Sequence, residues 1–421
     1  MRFRRWLELV PSLVVSPPLP HLNALRRQFF FAYGVIGSVM PLMSVFLWKE
    51  AGFGLMQIGF ATALTNVPML LSPGIITLLA DRNVDSRRIL AIAFTVSIAV
   101  LSLMYAIPVL WVRLMLFLFH GLAFVAMIPL QDGFYFSFAE ARRAAGDPVK
   151  PYPSVRVWGT IGFIVPSLII YFLLQNGAST GRILLCAVAF GVAALVNSFS
   201  LPRLPAALDS SVGSGESKRM LPTKEAFRRL ISPRARYLCL GLVFGYMAAV
   251  AYYTFISIYL REVIGIESHY IGLVINIGVV VEIFFTLMMP KLQRVLRLKG
   301  IMVVGLICMA ARMILLSLFP TVWTAILVQV VHGMEVLALF IAPVMFLDRL
   351  AGDRFRNSIQ GVFTMTIGGV SRIFGALMAG YVASKGLGLL LGYGACLATA
   401  AMLVILVKFR RIPAPGEAED E

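Results

Sequence analysis

Three side chains that are costly to place in lipid lie close together in two apolar runs of this chain. His332 and Glu335 are three residues apart in the run from Ala325 to Phe346, and Arg312 precedes His332 by 20 residues, in the run before it. An ionised group at the bilayer centre costs about 2.5–3.5 kcal/mol on the mildest scale, so such groups pair or line an ion or substrate path. Positions i and i+3 of a helix share a face. The spacing therefore predicts a site that takes up and releases protons.

The composition indicates a protein that crosses a membrane many times. Of its 421 residues, 59% are hydrophobic and 14% are charged. Apolar stretches of about 20 residues recur, the length that a helix needs to cross a bilayer, whereas a membrane barrel would show shorter alternating strands. The 4 cysteines fall in different apolar runs, which implies no disulfide framework. We predict an all-α membrane protein.

We predict twelve transmembrane helices from these runs. Their expected bounds are 28–48, 56–80, 88–107, 110–138, 154–175, 180–201, 236–260, 269–290, 300–318, 321–347, 357–383 and 386–408. The polar stretch halfway along the chain is predicted to be a flexible linker between two six-helix bundles. The expected divisions are a tail at 1–27, a bundle at 28–201, the linker at 202–235, a bundle at 236–408 and a tail at 409–421.

The basic residues predict the orientation of the chain. In the tails and in the loops between predicted helices, 29 of the 37 lysines and arginines fall on one side. Basic loops face the cytoplasm, so both termini are expected to be cytoplasmic. Orientation also explains the net charge of +17 without a nucleic-acid partner. We expect the protein to lie in the inner membrane of a bacterium, and we expect it to be a monomer in the lipid bilayer.

An internal repeat supports the division into two halves. The pattern of Pro108, Trp111, His120 and Gly121 recurs 212 residues later as Pro320, Trp323, His332 and Gly333. A parallel repeat of this kind is found in transporters built from two six-helix halves. The alternative is coincidence, because proline and tryptophan both favour the interfacial start of a helix. Where the second copy has Glu335, the first has Ala123.

The ionisable residues of the predicted helices are the candidate functional residues. They are Asp132, Arg156, Glu282, Arg312, His332, Glu335 and Arg372, with His120 as a weaker candidate. A buried carboxylate whose arginine partner moves away favours its protonated form, and the returning arginine expels the proton. We expect Glu335 and Arg312 to work in this way, with His332 setting the geometry.

Several of these residues have a structural alternative. The alternative for His332 and Glu335 is a structural polar contact between helices. The alternative for His120 is a hydrogen-bond donor packed between helices. Arg372 either binds substrate or pairs with Glu282. The loop residues at the end of the second predicted helix are expected to act in gating or structure, since an aspartate there clamps helix ends. These loop residues are Asp81, Arg82, Arg87 and Arg88.

Enzymatic signatures are missing from the chain. It has no HExxH, GxSxG or GxxxxGK[ST] motif. A metal site at His332 and Glu335 would need further ligands that the sequence does not cluster there. We therefore predict no enzymatic activity, no cofactor and no metal.

Longer motifs carry a family resemblance. Pro129 to Asp132, followed by Tyr152 to Phe163 with Arg156 and Trp158, is similar to an acid and a "YGxxRxWGSxGF" element of the major facilitator superfamily. The resemblance is to the proton-coupled branch that contains lactose permease and phenylpropionate permease. It implies that Asp132 and Arg156 bind substrate.

The resemblance extends to the second half of the chain. Arg312, His332 and Glu335 match the spacing of the proton-coupling residues of that branch, and Gln329 stands where lactose permease has a lysine. Substrate contacts are also expected from Gln329, Glu282 and Arg372, and from Trp158, which either stacks on the solute or contacts lipid.

The implied function is proton-coupled import of a small polar organic solute, a sugar, nucleoside or aromatic acid, by alternating access. A uniporter or antiporter of the same fold and a non-transporting membrane sensor are the alternatives.

Overall fold

The structure is a computed structural model that describes residues 21–71, 86–144, 146–202, 224–233, 235–351 and 356–409. Over these residues the chain forms helices and connections, and none of them belongs to a strand. Residues 1–20 of the predicted tail at 1–27, residues 410–421 of the predicted tail at 409–421, most of the linker, and the loop residues Asp81 and Arg82 lie outside the described residues. The all-α fold class is confirmed for the part of the chain that is described.

The first half of the chain contains α1 (Leu22–Val39), α2 (Met43–Lys49), α3 (Leu55–Asn66), α4 (Ser86–Ala106), α5 (Leu110–Ala144), α6 (Tyr152–Leu173) and α7 (Arg182–Ser198). A short helix, α8 (Lys224–Leu230), follows. The second half contains α9 (Arg236–Glu262), α10 (Ser268–Leu318), α11 (Val322–Leu327), α12 (His332–Val336), α13 (Ala342–Ala351), α14 (Arg356–Phe363), α15 (Val370–Lys385) and α16 (Leu387–Lys408).

The helices agree with the predicted segments to within a few residues wherever both are described. Eight helical stretches of the described residues are long and apolar enough to cross a membrane, and three shorter apolar helices accompany them. One of the eight, the 51-residue α10, contains two predicted helices and turns between them at Arg297, where φ is 57° and ψ is 173°. The count of twelve spans and the cytoplasmic termini stay predictions.

Glycines bring α1 and α6 into backbone contact. A Cβ atom at Gly37 would lie 2.1 Å from the carbonyl oxygen of Phe163, and one at Gly162 would lie 2.1 Å from that of Phe30. Small residues permit such approach between membrane helices, where packing replaces the hydrophobic effect as the driving force. The contact fixes α6, the helix that carries Arg156, against α1.

The two halves of the chain meet at the end of the molecule opposite the start of α1. There Ser257 donates a hydrogen bond to the carbonyl oxygen of Pro41 at 2.6 Å, and Asn276 donates to that of Ile164 at 3.2 Å. Helices α3 and α15 touch through Gly59, where a Cβ atom would lie 2.6 Å from the Cα of Gly380. This end of the molecule is therefore closed.

Glu50, in the connection after α2, holds the start of α7 at the same end. Its carboxylate accepts hydrogen bonds from the Ser179 hydroxyl, the Thr180 amide, the Thr180 hydroxyl at 2.6 Å and the Gly181 amide at 3.2 Å. The carboxylate therefore caps the turn that leads into α7, whose carbonyl oxygens in turn accept hydrogen bonds from the first helical amides, those of Arg182, Ile183 and Leu184. Partial burial raises the pKa of Glu50, but the hydrogen bonds from Ser179, Thr180 and Gly181 outweigh it and hold the pKa below 4.5.

We expect Glu50→Gln to lower the free energy of unfolding at pH 7 by about 1 kcal/mol, the size of a lost helix cap. Because the pKa of Glu50 is depressed in the folded protein, its ionised form stabilises the fold above the unfolded pKa. That stabilisation is lost as the pH falls through the folded pKa. Thermal unfolding at pH 7 and at pH 3.5 measures the difference between variant and wild type, which should shrink at the lower pH.

A matched control is Glu262→Gln, which removes a carboxylate at the same end of the molecule. Glu262 pairs with Lys49 at 3.1 Å, and both side chains are 36% exposed. Exposed pairs contribute little, so this variant should unfold within a few tenths of a kcal/mol of wild type. A loss for Glu50→Gln that is no larger than the control, or that does not change with pH, would contradict the capping role.

Candidate functional site

A buried ion pair joins α10 to α12. The Nη1 atom of Arg312 lies 2.6 Å from Oε2 of Glu335, and the two side chains are 2% and 1% exposed. Arg312 also donates to Oε1 of Gln329 at 3.0 Å, and its guanidinium lies 4.0 Å from the centre of the Tyr252 ring. These contacts cover the arginine on three sides, while its buried Nε atom has no hydrogen-bond partner among the described residues. The other carboxylate oxygen of Glu335, Oε1, is buried and accepts no hydrogen bond from the described residues.

His332 connects this ion pair to Glu282. Its Nδ1 atom lies 3.4 Å from Nη1 of Arg312 and 3.2 Å from the Tyr253 hydroxyl, and its Nε2 atom lies 3.6 Å from Oε2 of Glu282. A guanidinium can only donate, so the Nδ1 atom that faces it acts as an acceptor. The proton of a neutral His332 is therefore assigned to Nε2, which points to Glu282. Glu282 is 36% exposed and gives the buried cluster a contact with open space.

Two tyrosines of α9 complete the cluster, and neither of them is among the functional residues predicted from the sequence. The Tyr253 hydroxyl donates to Oε2 of Glu335 at 3.1 Å, while the ring of Tyr252 stacks on Arg312. The consecutive tyrosines within an otherwise apolar helix were the available signal, because a buried tyrosine hydroxyl needs a partner. Their partners lie on other helices, and the sequence of α9 alone does not identify them.

Irregular backbone flanks the two polar residues of α12. A 3₁₀ segment at Val328–Val331 precedes His332, and a π-helical segment at Leu337–Ile341 follows Glu335. Pro343 has no amide to donate to Leu339, four residues before it, and the Tyr246 hydroxyl donates to that carbonyl oxygen instead at 2.9 Å. Such departures from regular helix often mark functional sites and hinges.

A second polar group lies in the first half of the chain. Asp132 accepts a hydrogen bond from the Tyr152 hydroxyl at 2.7 Å, and the guanidinium of Arg156 lies 4.1 Å from the centre of the Tyr33 ring. No ion pair within 4.0 Å joins Asp132 to Arg156 in the described part of the chain. Each charge is thus covered by a tyrosine, and an acceptor or donor of a solute can still approach it.

Two other predicted substrate residues, Gln329 and Trp158, lie in different surroundings, one buried and one exposed. Gln329 is 2% exposed and donates to the carbonyl oxygen of Ala325 at 3.1 Å, so it belongs to the Arg312 cluster. Trp158 is 39% exposed and follows Arg156 by two residues on a continuous helix, which turns the two side chains about 200° apart. The structure therefore does not bring Trp158 to the face of Arg156.

Arg372 does not contact Glu282, the partner considered in the sequence analysis. Its Nη1 atom lies 3.3 Å from the sulfur of Met69, and its guanidinium lies 5.2 Å and 5.6 Å from the ring centres of Tyr246 and Phe340. Glu282 lies beside His332 instead. The position of Arg372 along α15 gives its depth in the membrane. The side chains that Arg372 contacts depend on how α15 is rotated against α3 and α9.

The remaining candidates are less informative. Arg87 reaches the carbonyl oxygen of Phe199 at 3.5 Å, and Arg88 is exposed, so this pair touches the start of the connection after α7. His120 is buried in α5. Among the described residues, no group of three or more potential ligands is placed to hold a metal ion.

A family model described as the MFS_1 like family matches residues 22–389. Since this range is most of the 421 residues, the chain belongs to that family, within the major facilitator superfamily. The resemblance drawn from the motifs is confirmed.

Curated relatives with similar sequences are permeases. The chain is 23% identical over 375 residues to the xanthosine permease of Escherichia coli strain K12, which covers 85% of this chain and 86% of that protein. It is 25% identical over 369 residues to a probable 3-phenylpropionic acid transporter of the same organism, over 84% and 88% of the two chains. The crystal structure of the nucleoside transporter NupG has a TM-score of 0.78 at 18% identity, over 92% of this chain and 99% of that chain, a likeness that shows the fold. The chain is a multi-pass membrane transporter and not an enzyme.

The geometry of the ion pair predicts strong coupling between Arg312 and Glu335. Arg312→Met leaves the carboxylate buried without its partner and should lower the free energy of unfolding by about 3–5 kcal/mol. Adding Glu335→Gln removes the uncompensated charge and should recover much of that loss. Denaturant unfolding of the purified protein in detergent measures the two single variants and the double variant.

The control replaces Arg113, a buried arginine outside the cluster. Arg113 donates to the carbonyl oxygen of Met104 at 3.1 Å and lies 5.5 Å from the Phe46 ring centre. Arg113→Met and Glu335→Gln share no contact, so their effects should add. If the effects of Arg312→Met and Glu335→Gln were also additive, the proposed coupling between the two charges would be wrong.

Proposed function

We propose that this member of the major facilitator superfamily imports a small polar organic solute together with a proton, by alternating access between two six-helix bundles at 28–201 and 236–408. The observation that carries the proposal is the position of Glu335, a fully buried carboxylate whose arginine partner has other contacts available. The relatives named as xanthosine permease and nucleoside transporter support a solute of this kind. A sugar, a nucleoside and an aromatic acid all suit the acid, the arginine and the tryptophan predicted from the sequence.

The proposed coupling depends on how Arg312 is shared between its partners. With Glu335 ionised, Nη1 of Arg312 is held at 2.6 Å by the carboxylate. When Glu335 is protonated, the arginine retains the Gln329 oxygen and the Tyr252 ring, which lowers the cost of losing its ion pair. The unpartnered Oε1 of Glu335 is a position where a proton can be held without displacing an existing hydrogen bond.

A proton leaves Glu335 through His332 in this proposal. Glu282 is partly exposed, the Nε2 atom of His332 faces it, and the Tyr253 hydroxyl contacts both Nδ1 of His332 and Oε2 of Glu335. The chain Glu282, His332, Tyr253, Glu335 is therefore continuous, with each step between 3.1 and 3.6 Å. In the tautomer assigned above the chain runs outward: protonated Glu335 gives its proton to the Tyr253 oxygen, the Tyr253 hydroxyl proton passes to Nδ1 of His332, and the Nε2 proton passes to Glu282.

The solute site is proposed at the polar residues that remain open between the halves. Asp132 and Arg156 contribute from the first half, and Glu282 and Arg372 from the second, as the resemblance implies. With both termini cytoplasmic, the closed end held by Ser257 and Asn276 faces outward. The described conformation is then the inward-facing state, and import ends in it with release of solute and proton.

Glu335→Gln tests the coupling directly. A side chain that cannot ionise cannot return its proton, so uptake driven by a proton gradient should fall to about the background rate, at least a hundredfold below wild type on the scale of a lost essential charge. Exchange of solute across the membrane needs no change in protonation and should persist. Both are measured with radiolabelled solute in proteoliposomes, with an imposed pH gradient for uptake and with preloaded vesicles for exchange.

Glu262→Gln is the control for this experiment, because it removes a carboxylate from the second half at an exposed ion pair. It should retain both uphill uptake and exchange. Uphill uptake that survives Glu335→Gln would overturn the symport mechanism and favour the uniporter or antiporter alternative. Absence of flux by the wild-type protein under any gradient would favour the sensor.

A further inference from the structure

A cavity lies between the two halves at Arg372, apart from the Arg312 cluster. Its volume is about 170 Å³. Residues of α9, of the segments on either side of α14 and of the first half contribute to its wall, among them Met69, Tyr246, Phe340, Phe363, Gly368 and Arg372. A cavity of about 150 Å³ accommodates one benzene molecule in an apolar protein core. The space at Arg372 therefore has room for one six-membered aromatic ring with a short substituent.

Among the side chains that the structure describes, no carboxylate balances the positive charge in this wall. No acidic residue of the described chain lies within 4.0 Å of the Arg372 nitrogens, which contact the Met69 sulfur and the faces of Tyr246 and Phe340. Arg312, in contrast, has Glu335 at 2.6 Å. A guanidinium at membrane depth without a carboxylate is costly, and a bound anion would remove that cost. The guanidinium of Arg372 can donate two parallel hydrogen bonds to the two oxygens of a carboxylate.

The rest of the wall favours an aromatic group over a sugar. Three rings, Tyr246, Phe340 and Phe363, line the cavity, and Tyr246 lies 5.9 Å from Phe340 and 6.3 Å from Phe363 between ring centres. The Tyr246 hydroxyl is already donated to Leu339. Apart from Arg372 and this tyrosine, Thr364 is the polar side chain of the wall. A ribose would bury hydroxyls with too few partners, whereas an aromatic ring needs none.

We infer that this cavity binds an aromatic monocarboxylate, with the carboxylate on Arg372 and the ring among Tyr246, Phe340 and Phe363. The inference rests on the proposed function, since it names the solute class of the transporter. Arg372 then sets the charge of the solute, and the three rings set its shape. Symport of a monoanion with one proton moves no net charge across the membrane.

The test measures binding to the purified full-length protein in lipid nanodiscs by isothermal titration calorimetry. The probes are 3-phenylpropionate, its neutral amide 3-phenylpropanamide, and uridine. Wild type should bind the carboxylate at least tenfold more tightly than the amide or uridine. Arg372→Gln should weaken binding of the carboxylate by roughly 30-fold or more, the cost of losing one side of a buried charged pair, and abolish its preference over the amide. Lys385→Gln makes the same change in charge on an exposed part of the same helix and should bind like wild type.

A second variant leaves Arg372 in place and fills the space. A Cβ atom at Gly368 would meet only the carbonyl oxygen of Phe363, at 3.8 Å, so Gly368→Val should fold and project into the cavity. It should block 3-phenylpropionate binding. Gly361→Val adds the same atoms at a glycine with no neighbour within 4 Å, outside the wall of the cavity, and should not affect binding.

The outcomes separate the site from the transport mechanism. Equal affinity of wild type for 3-phenylpropionate and its amide, or unchanged binding in both Arg372→Gln and Gly368→Val, would overturn the site. Gradient-driven uridine uptake in proteoliposomes with no binding of 3-phenylpropionate would also overturn the site while leaving symport intact. Binding that depends on Arg372, without gradient-driven flux of any probe, would support the site and overturn symport.

Discussion

The ion pair between Arg312 and Glu335 constrains the second half of this molecule more than any other interaction. Two opposite charges, each at most 2% exposed, are tolerable at membrane depth only while they face each other at hydrogen-bond distance. Their neighbours follow from that requirement. Gln329 accepts a further hydrogen bond from the arginine, the Tyr252 ring covers its face, and Tyr253 supplies a donor to the acid. Helices α9, α10 and α12 must therefore keep their relative rotation while the pair is formed.

The same pair explains why the backbone around it is irregular. Regular helix on both sides of His332 and Glu335 would fix their direction rigidly, yet a 3₁₀ segment precedes them and a π-helical segment follows. A second π-helical segment, Thr364–Gly369, lies just before the helix that carries Arg372. Changes of helical winding need only local rearrangement of backbone hydrogen bonds, and protein surroundings such as the Tyr246 hydroxyl satisfy the carbonyl groups that are left over. Both charged sites are thus next to backbone that can change its winding at low cost.

The sequence predicts the parts of this structure that depend on composition along one helix. Apolar length locates the helices, and the cost of charge in lipid selects Arg312, His332 and Glu335 as residues that need one another. It does not predict the contacts that depend on how helices rotate against each other. For this reason the sequence does not predict that Tyr252 and Tyr253 contact Arg312 and Glu335. For the same reason Arg372 contacts Met69, and not Glu282, the alternative partner considered from the sequence. Trp158 is close to Arg156 in sequence, but its side chain points in another direction, because residues two positions apart on a helix lie on different faces.

The distribution of charge links the two sites. In the described conformation, the charges of Arg312 and Glu335 cancel each other. The positive charge of Arg372, beside an open cavity, is not cancelled by any side chain that the structure describes. Protonation of Glu335 adds a positive charge to the cluster, and an anion at Arg372 removes one from the second half. Under the proposed assignment, the protein loaded with both proton and solute carries the same net charge in the membrane as the empty protein. A protein loaded with the proton alone would carry two unbalanced guanidiniums through lipid, Arg312 and Arg372, whereas the empty protein and the fully loaded protein each carry one and the protein loaded with the solute alone carries none. The charge count therefore opposes movement of a proton without the solute, and this effect needs no direct contact between Glu335 and the solute.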